Sequence, residues 1–266
     1  MTPAPVQVRA LAVVPARLGS QRLPRKMLLD RTGRPLVVHT VQNLLRARSL
    51  ARVVVATDSE EIAAAVARAG FEALSTSIEH ASGTDRVFEA LEQLGRGHWD
   101  VVVNVQGDEP ELEVADIDAL VAQFTDPTVR AATLCGRLES PDQARAPQVV
   151  KVVRDARGDA LYFSRAAIPF QPSGDGAAYS RSDAPAWTSV VRRHIGVYAL
   201  RPEALARFVS LPRGELERIE NLEQLRWLEA GERMRVVEAV STPLGIDTQL
   251  DYDAFVERVL RARAST

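Results

Sequence analysis

Continuous apolar runs alternate with amphipathic stretches through the first half of this chain. Leu11-Ala12-Val13-Val14, Val53-Val54-Val55-Ala56, residues 71–74 and Asp100-Val101-Val102-Val103-Asn104-Val105 read as short buried strands. Residues 36–48 carry Val37, Val41, Leu44 and Leu45 on one helical stripe. A second stripe, Ile62, Val66 and Ala69, follows the capping trio Thr57-Asp58-Ser59 and stops at Gly70. A third opens at Ser82-Gly83-Thr84-Asp85, passes Val87, Leu91 and Leu94, and stops at Gly95. A fourth holds Val114, Ile117, Leu120, Val121 and Phe124. Strands without polar alternation, separated by helices, are covered on both faces. The pattern therefore predicts an α/β, Rossmann-like fold around a mixed, mostly parallel central sheet.

The second half is less regular. Residues 129–138, 149–154, 160–163 and 190–200 look like strands, with no long helix between each, which predicts a smaller antiparallel insertion. Residues 169–185 are rich in Gly, Pro, Ser and Asp and read as a long loop or flap. Helices are predicted over 202–209, 215–229 and about 250–263, with a strand ending near Val240. No internal repeat and no long linker interrupts the chain, so one domain over 1–266 is expected.

Composition narrows the class. The 266 residues are 46% hydrophobic, enough to bury one sizeable core. A net charge of −2 and a pI near 6.1 provide no global basic field for nucleic acid, and no basic helix points to a membrane surface. Cys135 is the single cysteine, which excludes an internal disulfide and a cysteine-cluster metal site. No apolar run approaches the roughly 20 residues of a membrane span, and the N-terminus lacks a signal-peptide pattern. A soluble, cytoplasmic protein is the expectation.

Candidate chemistry gathers in the breaks after the strands. The loop Val14-Pro15-Ala16-Arg17-Leu18-Gly19-Ser20-Gln21-Arg22-Leu23-Pro24-Arg25-Lys26 places four cations beside Gly19 and Ser20. Glycine lets the backbone turn with its N–H groups outward, and such donors beside Arg and Lys suit a polyphosphate; a plain solvated basic loop is the alternative. Only Lys26 and Lys151 are lysine among 33 basic residues, so Lys26 stands out as a compact point charge in an arginine background. Asp108, just past a central strand, can bind a hard cation or cap the next helix. Asp247, in Gly245-Ile246-Asp247-Thr248, has the same two readings. Neither a P-loop nor G-x-G-x-x-G is present, which disfavours a Walker ATPase or a dinucleotide dehydrogenase.

Several motifs together meet a family. Pro15-Ala16-Arg17-x-Gly19-Ser20-x-Arg22-Leu23-Pro24-x-Lys26, Val55-Ala56-Thr57-Asp58, Ser82-Gly83-Thr84-Asp85-Arg86 and Asn104-Val105-Gln106-Gly107-Asp108-Glu109-Pro110 resemble the 3-deoxy-manno-octulosonate cytidylyltransferases, the CMP-Kdo synthetases. The likeness continues through Val150-Lys151-Val152-Val153, Ala160-Leu161-Tyr162-Phe163-Ser164-Arg165-Ala166, Arg193-His194-Ile195-Gly196-Val197-Tyr198, Leu222-Glu223-Gln224-Leu225-Arg226 and Gly245-Ile246-Asp247-Thr248. The first motif is shared with sialic-acid cytidylyltransferases; those around residues 163–166 and 194–198 look specific to the Kdo enzymes.

The resemblance implies a homodimeric nucleotidyltransferase that converts CTP and Kdo to CMP-Kdo and pyrophosphate with Mg²⁺, without nucleic-acid or membrane partners. It implies a nucleotide-binding part over about 8–140 and a sugar-binding and dimerisation part over about 141–240. A C-terminal return over 241–266 would bring a metal ligand and a helix. Arg17 and Lys26 would bind the triphosphate with Ser20 and Arg22 nearby, and Ala16 and Gly19 would also line the nucleotide site. Ser82 and Gly83 would help enclose the cytosine, and Asp108 and Asp247 would hold the metal. Arg17, Lys26, Asp108 and Asp247 would form the catalytic set. Gln106, Arg165, His194, Tyr198, Glu223 and Gln224 would form the sugar pocket, with Gln106 also touching nucleotide. Arg165 and its neighbours would meet the Kdo carboxylate. On position alone His194 is equally a buried sheet residue, and Glu223 and Gln224 are equally surface polar residues.

Three departures from the family pattern stand out: Arg25 for the glycine before the lysine, Ala146-Pro147-Gln148 for Asn-Pro-Asn, and Gln249-Leu250 for Pro-Glu. Two alternatives stay open: the same chemistry on 8-amino-Kdo or a sialic-acid-like sugar, or a non-catalytic nucleotide-binding module.

Overall fold

A computed structural model describes residues 8–20, 22–170, 189–242 and 245–264. Strands β1 (Ala10–Ala16), β2 (Leu50–Thr57), β3 (Ala73–Ser75) and β4 (Val101–Asn104) alternate with helices α1 (Leu36–Leu44), α2 (Glu60–Arg68) and α3 (Gly83–Leu94). After α4 (Val114–Ala122) come β5 (Ala131–Gly136), α5 (Pro141–Arg145), β6 (Lys151–Arg154), β7 (Ala160–Ser164) and β8 (Val191–Leu200). The chain closes through α6 (Pro202–Ser210), α7 (Glu215–Glu220), α8 (Leu225–Glu229), β9 (Arg235–Glu238) and α9 (Gln249–Ala264). Of the predicted flap, residues 171–185 lie outside the described residues.

The strands form one mixed sheet in the order β3-β2-β1-β4-β8-β5-β9. β1 to β4 run parallel, β8 is antiparallel to both β4 and β5, and β9 is parallel to β5. The antiparallel part is continuous with this sheet: β6 pairs with the first residues of β8 and with β7.

The apolar runs are explained by two cores. In β1, Ala10, Ala12 and Val14 face Val37, Val41 and Leu44 of α1 and Ile117 and Leu120 of α4. Leu11 and Val13 face Val87 and Leu91 of α3 and Leu205 and Phe208 of α6. Both side-chain rows of the strand are thus buried, at about 1.5–3 kcal/mol for each large apolar side chain. A third cluster, Leu23, Leu36, Ile246, Tyr252, Phe255 and Val256, seats α9 against the basic loop. That contact brings the C-terminal return beside the ends of β1 and β4.

Two details shape the cleft. β4 pairs with β8 at residues 198–200 and β6 pairs with it at 191–193, both on the edge away from β5, so the sheet parts beside residues 194–197. Opposite, Thr133 pairs with Tyr198 and Leu134 with Ile195, leaving Gly196 and Val197 as a bulge. The second detail corrects the single helix expected over 215–229. Asn221 takes a left-handed φ of 52°, ends α7 and turns Glu223 and Gln224 inward before α8 begins.

Candidate active site

The basic loop leaves β1 at its carboxyl end, where ligands of open parallel sheets bind. Lys26 begins a short 3₁₀ turn and is only 6% exposed. Its ammonium lies 2.5 Å from Asp108 Oδ2 and 3.2 Å from Asp247 Oδ1, and Arg22 reaches the same Asp247 oxygen at 2.9 Å. Neither aspartate serves as the helix cap that its position allowed. Glu113 occupies the cap position of α4, and Thr248 with Asp251 closes the start of α9. The return segment is docked by the Ile246 N–H donating to the Asp108 carbonyl. It approaches so closely that a Cβ on Gly245 would stand 2.8 Å from Glu109 Oε1.

Glu109 is a residue that sequence reasoning passed over, although it adjoins Asp108. Its Oε2 is buried with no hydrogen-bond partner. Burial, reinforced by Asp108 and Asp247, pushes its carboxyl up to about 8. Arg193 lies within electrostatic reach of it, and no hydrogen bond among the described residues occupies that guanidinium. The donor set fits a hard divalent cation, because two carboxylates already share one positive charge. Among the described residues no three His, Cys, Asp or Glu groups are placed to hold a metal, so phosphate oxygens and water would complete the shell.

Arg17 points from the same loop to α3, donating to the carbonyls of His80 and Ser82. The Ser82 hydroxyl accepts from the Asp85 N–H while Asp85 takes the Ser82 N–H, a capping box that fixes the start of α3. Gly83 stands next to Pro15 and the Gln106 amide, joining the predicted base and sugar regions. Ala16 is buried at the end of β1, whereas Gly19 is exposed, with open space where a Cβ would stand, and the Ser20 N–H closes a turn onto the Leu18 carbonyl.

Arg25 has φ 56°, a left-handed conformation that accounts for glycine at this place in the family pattern. Its side chain turns out of the phosphate loop and pairs with Glu61 of α2.

The predicted sugar residues fall into two groups. Gln106, Tyr198, Glu223 and Gln224 converge with two polar residues not singled out before, Thr84 and Asn104. Gln106 donates to Asn104 (3.3 Å) and Thr84 to Glu223 (2.7 Å). Between Thr84, Asn104, Tyr198, Glu223 and Gln224 lies a cavity of about 10 Å³, room for one water. Glu223 Oε1, 4.0 Å from the Arg226 guanidinium, and Gln224 Nε2 are buried there without hydrogen-bond partners among the described residues. Burial pushes the Tyr198 phenol up, with Glu223 adding to the shift. His194 stacks edge-on to Phe163 (4.9 Å) and lies against Tyr198 (5.5 Å); desolvation holds its pKa down to about 3, so it is neutral. Asn104 carried one signal, a polar residue inside an otherwise apolar strand.

Arg165 belongs to the other group. Its guanidinium donates to the carbonyls of Glu220 (2.8 Å), Pro147 (3.3 Å) and Asn221 (3.3 Å) instead of standing free for a carboxylate. Its N–H and the Ser164 hydroxyl both go to Glu220. The fork braces the turn before α8. Pro147 contributes only a carbonyl, so the departure from Asn-Pro-Asn removes no side-chain contact of this brace.

A cytidylyltransferase family profile matches residues 11–234. Over 259 residues the chain is 47% identical to the 3-deoxy-manno-octulosonate cytidylyltransferase of Afipia carboxidovorans, covering 96% of this chain and 98% of that protein. The chain belongs to this family. The enzyme of the same name from Chlorobaculum tepidum is 45% identical over 261 residues, covering 96% and 99% of the two chains. Among solved structures, a CMP:2-keto-3-deoxy-manno-octonic acid synthetase complexed with CTP is similar with a TM-score of 0.85 and 36% identity, over 96% of this chain and 99% of that one. A 4-diphosphocytidyl-2C-methyl-D-erythritol synthase from Anaerococcus prevotii, 13% identical with a TM-score of 0.60, shares the fold. This cytidylyltransferase therefore keeps its family motifs at one end of its sheet. No helix among the described residues is long and apolar enough to cross a membrane.

Proposed function

We propose that the chain transfers CMP from CTP to the anomeric hydroxyl of Kdo, in the cytoplasm, for lipopolysaccharide or a related Kdo-containing glycan. The observation that carries this is the meeting of Asp108 and Asp247 on the Lys26 ammonium, beside the basic loop and the Gln106 to Gln224 cleft. The anomeric oxygen bonds to the α-phosphorus, the bond from that phosphorus to the bridging oxygen breaks, and pyrophosphate departs in line. The hydroxyl proton is lost to solvent.

A triphosphate carries close to four negative charges, and Kdo is itself an anion. Arg17, Arg22 and Lys26 supply positive charge at the loop, and Arg193 supplies more beside Glu109. Mg²⁺ held by Asp108 and Asp247 would add Lewis acidity at the phosphates and lower the pKa of the attacking hydroxyl. The cleft of His194, Tyr198, Glu223 and Gln224 orients sugar hydroxyls by hydrogen bonding. Exposed Leu161, Phe170 and Ile219 offer apolar surface for a homodimer.

Pyrophosphate release from CTP tests the activity directly. It should require both Kdo and Mg²⁺ and should fail with ATP or GTP; silence with CTP, Kdo and Mg²⁺ together would refute the reading.

A further inference from the structure

Thr133 sits in the middle of β5, fully buried, opposite the bulge of β8. Its hydroxyl has three neighbours: the Val197 carbonyl at 2.8 Å, the Ile195 carbonyl at 3.3 Å and His194 Nε2 at 3.0 Å. A hydroxyl has one proton, and a carbonyl can only accept it. The Thr133 proton is therefore committed to the bulge, and only lone pairs of Oγ1 remain for the imidazole. His194 must donate through Nε2–H. The ring is neutral, since desolvation holds it far below the ordinary histidine range, so Nδ1 carries an open lone pair.

We propose that Thr133 is a positioning residue that locks His194 as the Nε2–H tautomer, so that Nδ1 accepts a hydrogen bond from a hydroxyl of the acceptor sugar. This rests on the reading that the His194 cleft holds that sugar. It assigns His194 a narrower duty than a general donor: the ring selects a hydroxyl and disfavours the sugar carboxylate, which has no proton to give. Phe163 and Tyr198 confine the ring on its two flanks, so the tautomer and the aim of Nδ1 are fixed together. The β8 bulge is what brings two carbonyls within reach of a single strand hydroxyl. A valine at 133 would match the shape and leave both the bulge and the imidazole without their partner.

Nitrogen-detected NMR of the ring, assigned by comparison with His194→Gln, reads the tautomer without turnover. The wild-type protein should show a protonated Nε2 and a bare Nδ1 at pH 7, and added Kdo should shift the Nδ1 resonance while Nε2 stays in place. In Thr133→Val the pure Nε2–H signature should be lost and the Kdo KM should rise about tenfold, the scale of one hydrogen bond, with the CTP KM within about twofold. Thr133→Ser should restore both readouts. A protonated Nδ1 in the wild-type protein overturns the proposal, as does a folded Thr133→Val with an unchanged Kdo KM. Should Thr133→Val not fold, an Nδ1 resonance that ignores Kdo in the wild-type protein overturns it equally. Lack of pyrophosphate release beside an intact Nε2–H signal would instead fault the activity reading.

Discussion

The two halves of the cleft are built from opposite materials. Around Lys26 most groups are charged and partly open to solvent: the ion-paired carboxylates of Asp108 and Asp247, Arg22 and an ammonium that stands where a cation is needed. Around His194 the groups are more enclosed, and two of them are held by a threonine, Thr133 for the imidazole and Thr84 for Glu223. The difference follows from the ligands. A triphosphate needs charge that can be exchanged for other charge, whereas a sugar needs donors and acceptors of settled direction. The largest effects are therefore expected where charge is removed, and smaller ones where orientation is disturbed.

The charged half gives the strongest test. Asp108→Asn and Asp247→Asn should each lower turnover by at least about 10²-fold, the scale of lost transition-state charge stabilisation, with a much smaller loss of CTP binding. Steady-state pyrophosphate release measures the first and calorimetry the second. Near-normal turnover in either variant at saturating Mg²⁺ would remove that residue from the reacting centre.

The two lysines sharpen the contrast. Lys151 is fully buried, and its ammonium donates to the carbonyls of Ala146 (3.0 Å), Val149 (2.6 Å) and Arg165 (2.5 Å). Burial pulls its pKa down to about 8, which still leaves it mostly charged at pH 7. A compact three-donor head suits three converging carbonyls; a planar fork does not. Lys151→Met should cost about 3–5 kcal/mol of stability in urea unfolding, because three acceptors lose their donor. Lys26→Met should instead weaken CTP binding. If Lys151→Met unfolded with the wild-type midpoint, the buried ammonium would be ornamental.

Orientation is probed by two arginines. Arg165→Ala should lower stability by about 1–2 kcal/mol through the brace it forms, and move the KM values for CTP and Kdo together. Arg193→Gln should raise the Kdo KM selectively, because no hydrogen bond among the described residues occupies its guanidinium, which lies within electrostatic reach of Glu109. Initial rates with each substrate varied decide between them; a Kdo-specific defect in Arg165→Ala alone would restore that residue to the sugar pocket.

Buried imidazoles also leave a pH signature. His194 and His39 have folded pKa values near 3 and 4, both below the unfolded value of 6.5. Between those limits the unfolded chain binds more protons, so stability is complete above about pH 6.5 and falls as pH drops, by roughly 1.4 kcal/mol per unit for each group. His194→Gln should flatten that slope in urea melts between pH 6.5 and 5. An unchanged slope would mean that the imidazole is solvated.

Much of this was legible in the chain itself. Both side-chain rows of β1, and of β4 up to Asn104, are apolar because both faces are covered, so element type and sheet class could be read from local pattern. Lys26, Asp108 and Asp247 stood out because a lysine among arginines and aspartates at strand ends break that pattern. Thr133 gave no such sign, because a threonine within a strand is ordinary and its duty exists only through a bulge in a distant strand. The surroundings of Arg165 are hidden for a related reason: nothing local shows that the carbonyls of Glu220 and Asn221, far along the chain, accept from its guanidinium. Long-range pairing determines both, and no local pattern carries it.

The smallest expected effect concerns Arg25, the one family departure that touches the phosphate loop. Its left-handed backbone is strained for a residue with a Cβ, and an exposed ion pair with Glu61 offsets part of that strain. Glycine would relieve the backbone and forfeit the ion pair, two small changes of opposite sign. Arg25→Gly should therefore keep turnover and CTP KM near wild type and shift the melting temperature by no more than about 3 °C. Added salt should narrow even that difference, because it screens the pair only in the arginine form. A large loss of CTP affinity in Arg25→Gly would instead place the Arg25 side chain over the triphosphate, away from Glu61, and make the phosphate end of the cleft more mobile than its ion pairs indicate.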